Sequence, residues 1–274
     1  MSYVTRNLSS NLTSYDFLKF FALALMIVDH IGAYFYPENQ WLRMIGRLCV
    51  PMWFFLIGYA RSRDLSAPIW FGMLILLWSN FIFGFAIFPM NILATIIIVR
   101  IVIDVFATRM LLSKYDFFMA NLTMVILIWP LSFYFEYGSL GLGLAMAGYF
   151  IRNFENIKIN KILVMFYFGF IYSVFIVYSF FGYSDYELYS LMKNGQFYFV
   201  AVALIFVFIL LYNFKDVEYA NLTVKLPDYL VLFIQFVGRR SLLIYVVHLC
   251  MFKFLSLYLG NISFDNMFYL VWLI

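Results

Sequence analysis

Long apolar runs, each about twenty residues and separated by short polar joins, recur from Tyr15 almost to the end of the chain. The first of them, "YDFLKFFALALMIVDHIGAYFY", has the length of a bilayer crossing, because a helix of about 20 residues rises about 30 Å, the thickness of the hydrocarbon core. Further runs occupy residues 41–60, 68–88, 90–110, 117–135, 138–151, 162–182, 196–213, 228–238 and 241–259, and an apolar stretch over 267–274 follows. Backbone in lipid must satisfy its own hydrogen bonds, so such runs become helices or closed barrels. Barrel strands would alternate polar and apolar residues in short segments, and these runs do not. The pattern predicts an all-α fold, a polytopic integral-membrane helical bundle of about 9–10 transmembrane helices. The sixth and ninth runs are too short to cross upright and are expected to be tilted, broken or re-entrant. No repeat or linker divides the chain, so residues 1–274 read as a single membrane-embedded domain.

Composition supports this reading: 66% of the 274 residues are hydrophobic and 12% are charged, too few to coat a soluble domain. The net charge of +4 lies mostly in the joins, which argues for a lipid bilayer and against nucleic acid as the partner. Cys49 and Cys250 sit inside apolar runs as packing residues, without a disulfide framework or a CxxC motif. The N-terminus lacks the order of features of a cleaved signal, so the first run is expected to be permanent.

Arg61 and Arg63, then Arg109 and Lys114, then Arg152, Lys158 and Lys161, then Lys215 and Lys225 fall on alternate joins. Those joins are expected to be cytoplasmic, which puts the N-terminus inside. The opposite joins, around 37–39, 89–91, Glu136 and 184–187, are neutral or acidic. The first run then travels outward, and His30, fourteen residues past Asp16, stands roughly 21 Å up it. Arg47, six residues down the returning run, reaches the same level, so acid, imidazole and guanidinium converge in the outer half.

Charges at membrane depth are costly enough that they usually face the bundle interior and mark a site or pathway. Asp29 and His30 are neighbours pointing about 100° apart, so Asp29 is expected to pair with an arginine of the second run rather than with His30. Arg43 and Arg47 share a helix face and are the candidates. A purely structural Asp29–Arg47 ion pair beside a hydrogen-bonded His30 is the competing reading. In "GRRSLLIYVVHLC", Ser241, Tyr245 and His248 fall on one polar helix face. Strict alternation puts Arg239 and Arg240 in an outer turn, with His248 near the level of His30. A re-entrant ninth run would instead put the turn inside and His248 in the inner half. Either way His248 could serve simply as a buried, bonded histidine. His248 and Cys250 diverge by about 200° on a helix and cannot chelate together, so no metal is expected. Arg100 and Asp104, four apart, are expected to form an ion pair within their helix.

A histidine in a water-poor cavity can remove a proton from an amine or hydroxyl, and a buried arginine can hold an anion or an oxyanion. These residue types permit acyl transfer without demanding it. A proton-coupled transporter using Asp29, His30 and Arg47 as a relay, or an assembly scaffold, uses the same types.

The stretch "YDFLKFFALALMIVDHIGAYF…NQWLRMIGRLCVPMWFFLIGYARSR" resembles the TraX family, membrane proteins associated with acetylation of the conjugative pilin N-terminus. The matching pieces are Asp16 with Lys19, Asp29 with His30, Gly46 with Arg47, Pro51 and Gly58. The late "GRRSLLIYVVHL" is similar to a segment of TraX-like and broader membrane acyltransferases. The resemblance implies an acyl-CoA, taken as acetyl-CoA, as donor and co-substrate, His30 as general base, Arg47 as a binder of donor or transition state, and His248 as a supporting or acceptor-side residue; Asp29 is the third catalytic candidate. Arg43, Arg239, Arg240, Ser241, Tyr245 and His248 are the substrate- or donor-binding candidates. The acceptor would be a pilin amine or, alternatively, a hydroxyl of an envelope glycan or lipid. The implied location is a bacterial inner membrane, crossed many times with the N-terminus cytoplasmic.

Overall fold

The computed structural model describes residues 9–155, 160–181 and 195–260. Lys158, the outward join at 184–187 and the apolar stretch over 267–274 lie outside them. The described residues contain no strand beyond two isolated bridges, and the chain is an all-helical membrane bundle. Its elements are α1 (Ser14–Phe35), α2 (Gln40–Gly46), α3 (Cys49–Tyr59), α4 (Ala67–Phe83), α5 (Ile92–Met110), α6 (Lys114–Ser132), α7 (Leu140–Asn153), α8 (Lys161–Phe181), α9 (Gln196–Tyr212), α10 (Ala220–Lys225), α11 (Asp228–Arg239) and α12 (Ser241–Tyr258). Among the described residues, five segments are long and apolar enough to cross a membrane: α1, the joined α2–α3, α6, α8 and α12.

The helix boundaries follow local chemistry. At α1, the Thr13 hydroxyl accepts from the Asp16 N–H at 3.2 Å while the Asp16 carboxylate accepts from the Thr13 N–H at 3.0 Å, a reciprocal cap. Proline breaks the second run. Pro51 has no N–H to offer the Arg47 carbonyl, which instead accepts from Val50 at 3.2 Å, so the helix tightens and restarts between α2 and α3. That break sets Arg47 at a corner rather than on a straight helix.

The sixth run is α7, 14 residues long, of which nine are buried and the rest partly buried. A helix enclosed by neighbours need not match the bilayer, which resolves its shortness. It crosses α3 at backbone contact: a Cβ on Gly58 would lie 1.7 Å from the Ala145 carbonyl oxygen, and one on Gly148 would lie 2.0 Å from that of Phe55. Small residues on both helices permit this approach, and close van der Waals packing is what holds helices together in lipid.

The joins gather at two ends. At the basic end, the Ser14 N–H donates to Val217 O at 3.0 Å, Arg152 approaches Asp216 at 4.0 Å, and Arg63 pairs with Asp104 at 3.2 Å. This last contact corrects the expected Arg100–Asp104 pair. Arg100 instead donates to the Asp64 carbonyl at 2.7 Å, because the loop after α3 folds over α5 and offers both helix residues nearer partners. At the opposite end, the 84–91 and 133–139 loops bridge through Met90 and Phe135.

The ninth run is a helix but not a crossing. As α11 it lies across the basic end of α1: Phe233 meets Phe20 with ring centroids 5.9 Å apart, and Val231 and Ile234 enclose Leu12. Its other face leaves Tyr229, Leu232 and Phe236 exposed, the two-sided pattern of a helix lying at a membrane interface. The Arg239–Arg240 turn therefore joins the other basic loops, contrary to strict alternation, and α12 then runs in the same direction as α1.

Candidate functional site

Where α1, α2 and α12 meet, two imidazoles touch. His30 Nδ1 lies 2.8 Å from His248 Nε2, and His248 Nδ1 lies 2.7 Å from the Ile244 carbonyl oxygen one turn back on its own helix. The network assigns the protons. A carbonyl can only accept, so His248 Nδ1 carries hydrogen and donates to Ile244. With both rings neutral, His248 has a bare Nε2, which accepts from His30 Nδ1–H. His30 is left with a lone pair on Nε2. Backbone thus fixes one tautomer and, through it, the other, the same relation by which a carboxylate orients a catalytic imidazole. The turn at Arg239–Arg240 is at the basic end, yet His248 still reaches the level of His30, because α12 runs alongside α1.

Rings wall the dyad. Tyr34 and Tyr245 stand 6.4 and 6.2 Å from His30 between centroids, and Phe252 stands 5.4 Å from His248. His248 and Tyr245 are buried.

Asp29 pairs with Arg43 at 2.8 Å, and the same guanidinium nitrogen reaches the Asp29 carbonyl at 3.4 Å. The expected pairing with an arginine of the second run is present and goes to Arg43, whereas Arg47 donates to the Ser179 carbonyl of α8. The reason is the corner made by Pro51. Gly46 makes the approach possible, since a Cβ there would sit 2.2 Å from the Asp29 Cβ, and Gly32 does the same one turn on, at 2.8 Å from the Leu42 Cβ. The "GR" pair is therefore a glycine that admits α1 and an arginine that reaches α8. One Asp29 oxygen, Oδ1, is buried without a hydrogen-bond partner.

Two charged groups complete the cluster, and sequence reasoning did not single them out. Lys253, 4% exposed, extends from α12 to donate to the Ser79 hydroxyl at 2.8 Å and to Asn80 Oδ1, and it lies 5.9 Å from the Phe85 ring centre. A lone lysine in "LCMFKFLSLYL" is a signal in itself, because a charge in an apolar helix is seldom without purpose. Glu136 carried no such signal, since it reads as a loop acid. Its loop turns inward: the Glu136 N–H donates to Met90 O at 3.1 Å, its carbonyl accepts from Thr95 at 2.7 Å, and Tyr137 and Gly138 follow at φ 66 and 45. Left-handed backbone at a tyrosine is strained and persists only where the surroundings hold it. Burial pushes the Glu136 carboxyl up to about 7, against the opposing pull of the Ile92 N–H, Lys253 and Arg43, with Asp29 adding to the rise.

Other candidates stand elsewhere. Arg239 binds Asp16 at 3.1 Å and the Ser9 carbonyl at 2.7 Å, clamping the basic end of α1. Arg240 and Ser241 form the break before α12, one turn ahead of Tyr245. The contacts of Arg239 tie it to the start of α1 rather than to His30. A cavity of about 410 Å³ between α5, α6 and α7 is apolar, and Thr95, Met124, Leu127 and Phe135 are in its lining, with none of the dyad or ion-pair residues. Among the described residues no group of three or more His, Cys, Asp or Glu could hold a metal ion.

The family model described as "TraX protein" matches residues 14–256. The chain is also similar to a protein of Rickettsia prowazekii (strain Madrid E) named "Uncharacterized protein RP591", with 25% identity over 270 residues covering 94% of this chain and 99% of the relative. No solved structure matches.

Proposed function

Because the chain belongs to the TraX family of membrane proteins, associated with pilin acetylation, we propose that it transfers an acetyl group from cytoplasmic acetyl-CoA to an acceptor reached from the opposite side of the membrane. The observation that carries this reading is the His30 Nδ1–His248 Nε2 contact backed by the Ile244 carbonyl in an aromatic-walled site, which with both rings neutral leaves a lone pair on His30 Nε2 to act as a base. His30 would take a proton from the attacking group as it adds to the thioester carbon. Arg43, held by Asp29, and Arg47, at the corner after α2, supply positive charge for the oxyanion that develops. His248 positions His30 and stabilises the imidazolium that forms.

The acceptor is a pilin N-terminal amine by family association, and a hydroxyl of an envelope glycan or lipid could use the same base. The host membrane would be the bacterial inner membrane, with the basic end of the bundle cytoplasmic. The nucleotide of the donor would stay at that end while its pantetheine arm reaches up to His30.

The test is transfer by the purified protein in proteoliposomes, with labelled acetyl-CoA and a peptide bearing a free N-terminus. His30→Ala should lower the rate about a hundredfold to ten-thousandfold, the usual contribution of a general base. His248→Ala should lower it less while leaving acetyl-CoA binding intact. Normal transfer by His30→Ala would overturn the reading, and proton-coupled solute uptake without transfer would favour a transporter.

A further inference from the structure

Acetylation of an amine needs two separate proton removals, whereas the dyad offers one free lone pair. An amine near neutral pH arrives as ammonium, whose nitrogen has no electron pair with which to attack. It must lose one proton before attack and a second as the bond to carbon forms.

We propose that Glu136 is a second proton acceptor of the site, taking the first proton from the acceptor's ammonium group. The inference rests on the transfer reading above, and four observations support it. The loop between α6 and α7 carries Glu136 inward at the end of the bundle opposite the donor's proposed entry, held by Met90 and Thr95 on both sides of its peptide. The left-handed Tyr137 that follows shows that the turn is imposed. The carboxyl lies within electrostatic reach of Tyr34 and Tyr245, the two rings that flank His30. Its carboxyl accepts from the Ile92 N–H, and charged and titratable groups within electrostatic range of it come from several elements: Asp29 and Tyr34 on α1, Arg43 on α2, Tyr178 on α8, Tyr245 and Lys253 on α12, and Tyr137 in its own loop. Its raised pKa of about 7 fits a group that exchanges a proton near neutrality.

The steps balance. The ammonium gives one proton to the Glu136 carboxylate and becomes a neutral amine. Its electron pair forms the nitrogen–carbon bond at the thioester carbonyl, and His30 Nε2 takes a second proton from that nitrogen. The carbon–sulfur bond then breaks, and the leaving thiolate receives the proton held by His30. Amide and thiol are the products, and the one proton released overall sits on Glu136, from which it passes to solvent.

The experiment compares wild type with Glu136→Gln in proteoliposomes over pH 6 to 8, using acetyl-CoA and a peptide with a free α-amino group. The free-amine fraction rises about tenfold per pH unit below the α-amino pKa of about 7.7–8.0, so a variant that must wait for free amine regains rate along that slope. The expected result is a deficit of about tenfold at pH 6, where Glu136 is itself about nine-tenths protonated and the amine about one-hundredth free, that shrinks to near equality at pH 8. His30→Ala should show no such recovery. Glu136→Asp retains a carboxyl and should keep the wild-type shape at a lower rate, which carries the test if the glutamine variant does not assemble. Infrared titration of the wild-type protein should show a protonated carboxyl band that disappears through about pH 7 and is missing from Glu136→Gln. A pH-independent deficit, an unchanged rate, or a Glu136 band that does not titrate between pH 6 and 8 would overturn the proposal. Wild type that fails to transfer at any pH would instead overturn the acyltransferase reading itself.

Discussion

Replacing Gly46 by alanine tests whether the closeness of α1 and α2 builds the site. The added Cβ would lie 2.2 Å from the Asp29 Cβ, 2.5 Å from its Cα and 2.7 Å from its backbone nitrogen. Two of these three atoms belong to the backbone, so no rotamer change relieves the clash. The helices must part by about 1.2 Å to restore ordinary contact, and overpacking of this kind typically costs about 1–3 kcal/mol. Such a shift also stretches the 2.8 Å Arg43–Asp29 contact and carries Arg43 away from the dyad. A misplacement of about 1 Å can cost about a hundredfold in rate. Gly169→Ala is the control, because a Cβ there meets nothing within 4 Å, and alanine is the better helix former. Thermal unfolding in detergent and transfer in proteoliposomes should both fall for Gly46→Ala and hold for Gly169→Ala. Gly46→Ala with a wild-type midpoint and rate would refute the idea that backbone contact at this crossing sets the geometry of the pair.

Arg43→Ala should destabilise the protein by about 3 kcal/mol, since it strands Asp29, whose second oxygen already lacks a partner, and thermal unfolding will read this. An unchanged midpoint would mean that the pair is solvated in the membrane. Arg239→Ala should lower stability while leaving the KM for acetyl-CoA within about twofold, because the arginine holds Asp16 and the Ser9 carbonyl rather than the site. A large rise in KM would return it to donor binding. For Glu136 the sign follows from linkage: its folded pKa of about 7 exceeds the ordinary 4.5, so the native state keeps a proton that the unfolded chain releases. Its contribution is therefore complete below about pH 4.5 and lost as pH rises to about 7. Relative to Glu136→Gln, wild type should lose thermal stability across that window, and a rising or level difference would contradict the assignment.

Much of this protein is legible along the chain because lipid leaves a helix few alternatives. Uninterrupted apolar runs must close their own hydrogen bonds, so helices were readable from Tyr15 onward, and the depth arithmetic brought Asp29, His30 and the arginines of the second run to one level because rise per residue is fixed. Spacing also put Tyr245 and His248 on one face of α12. What spacing cannot express is which faces meet. The choice of Arg43 over Arg47 by Asp29 depended on a corner at Pro51 and on how near Gly46 allows α1 to come. The dyad joins residues 218 positions apart, and its proton assignment depends on a carbonyl that sequence does not place. Arg239 looked like a site residue beside a histidine motif, but α11 lies flat and binds it to Asp16. Glu136 was an ordinary loop acid until a left-handed turn faced it inward. Hydrophobic periodicity is a property of one helix and its solvent, whereas the chemistry arises between helices, where close packing and buried charge select a single arrangement.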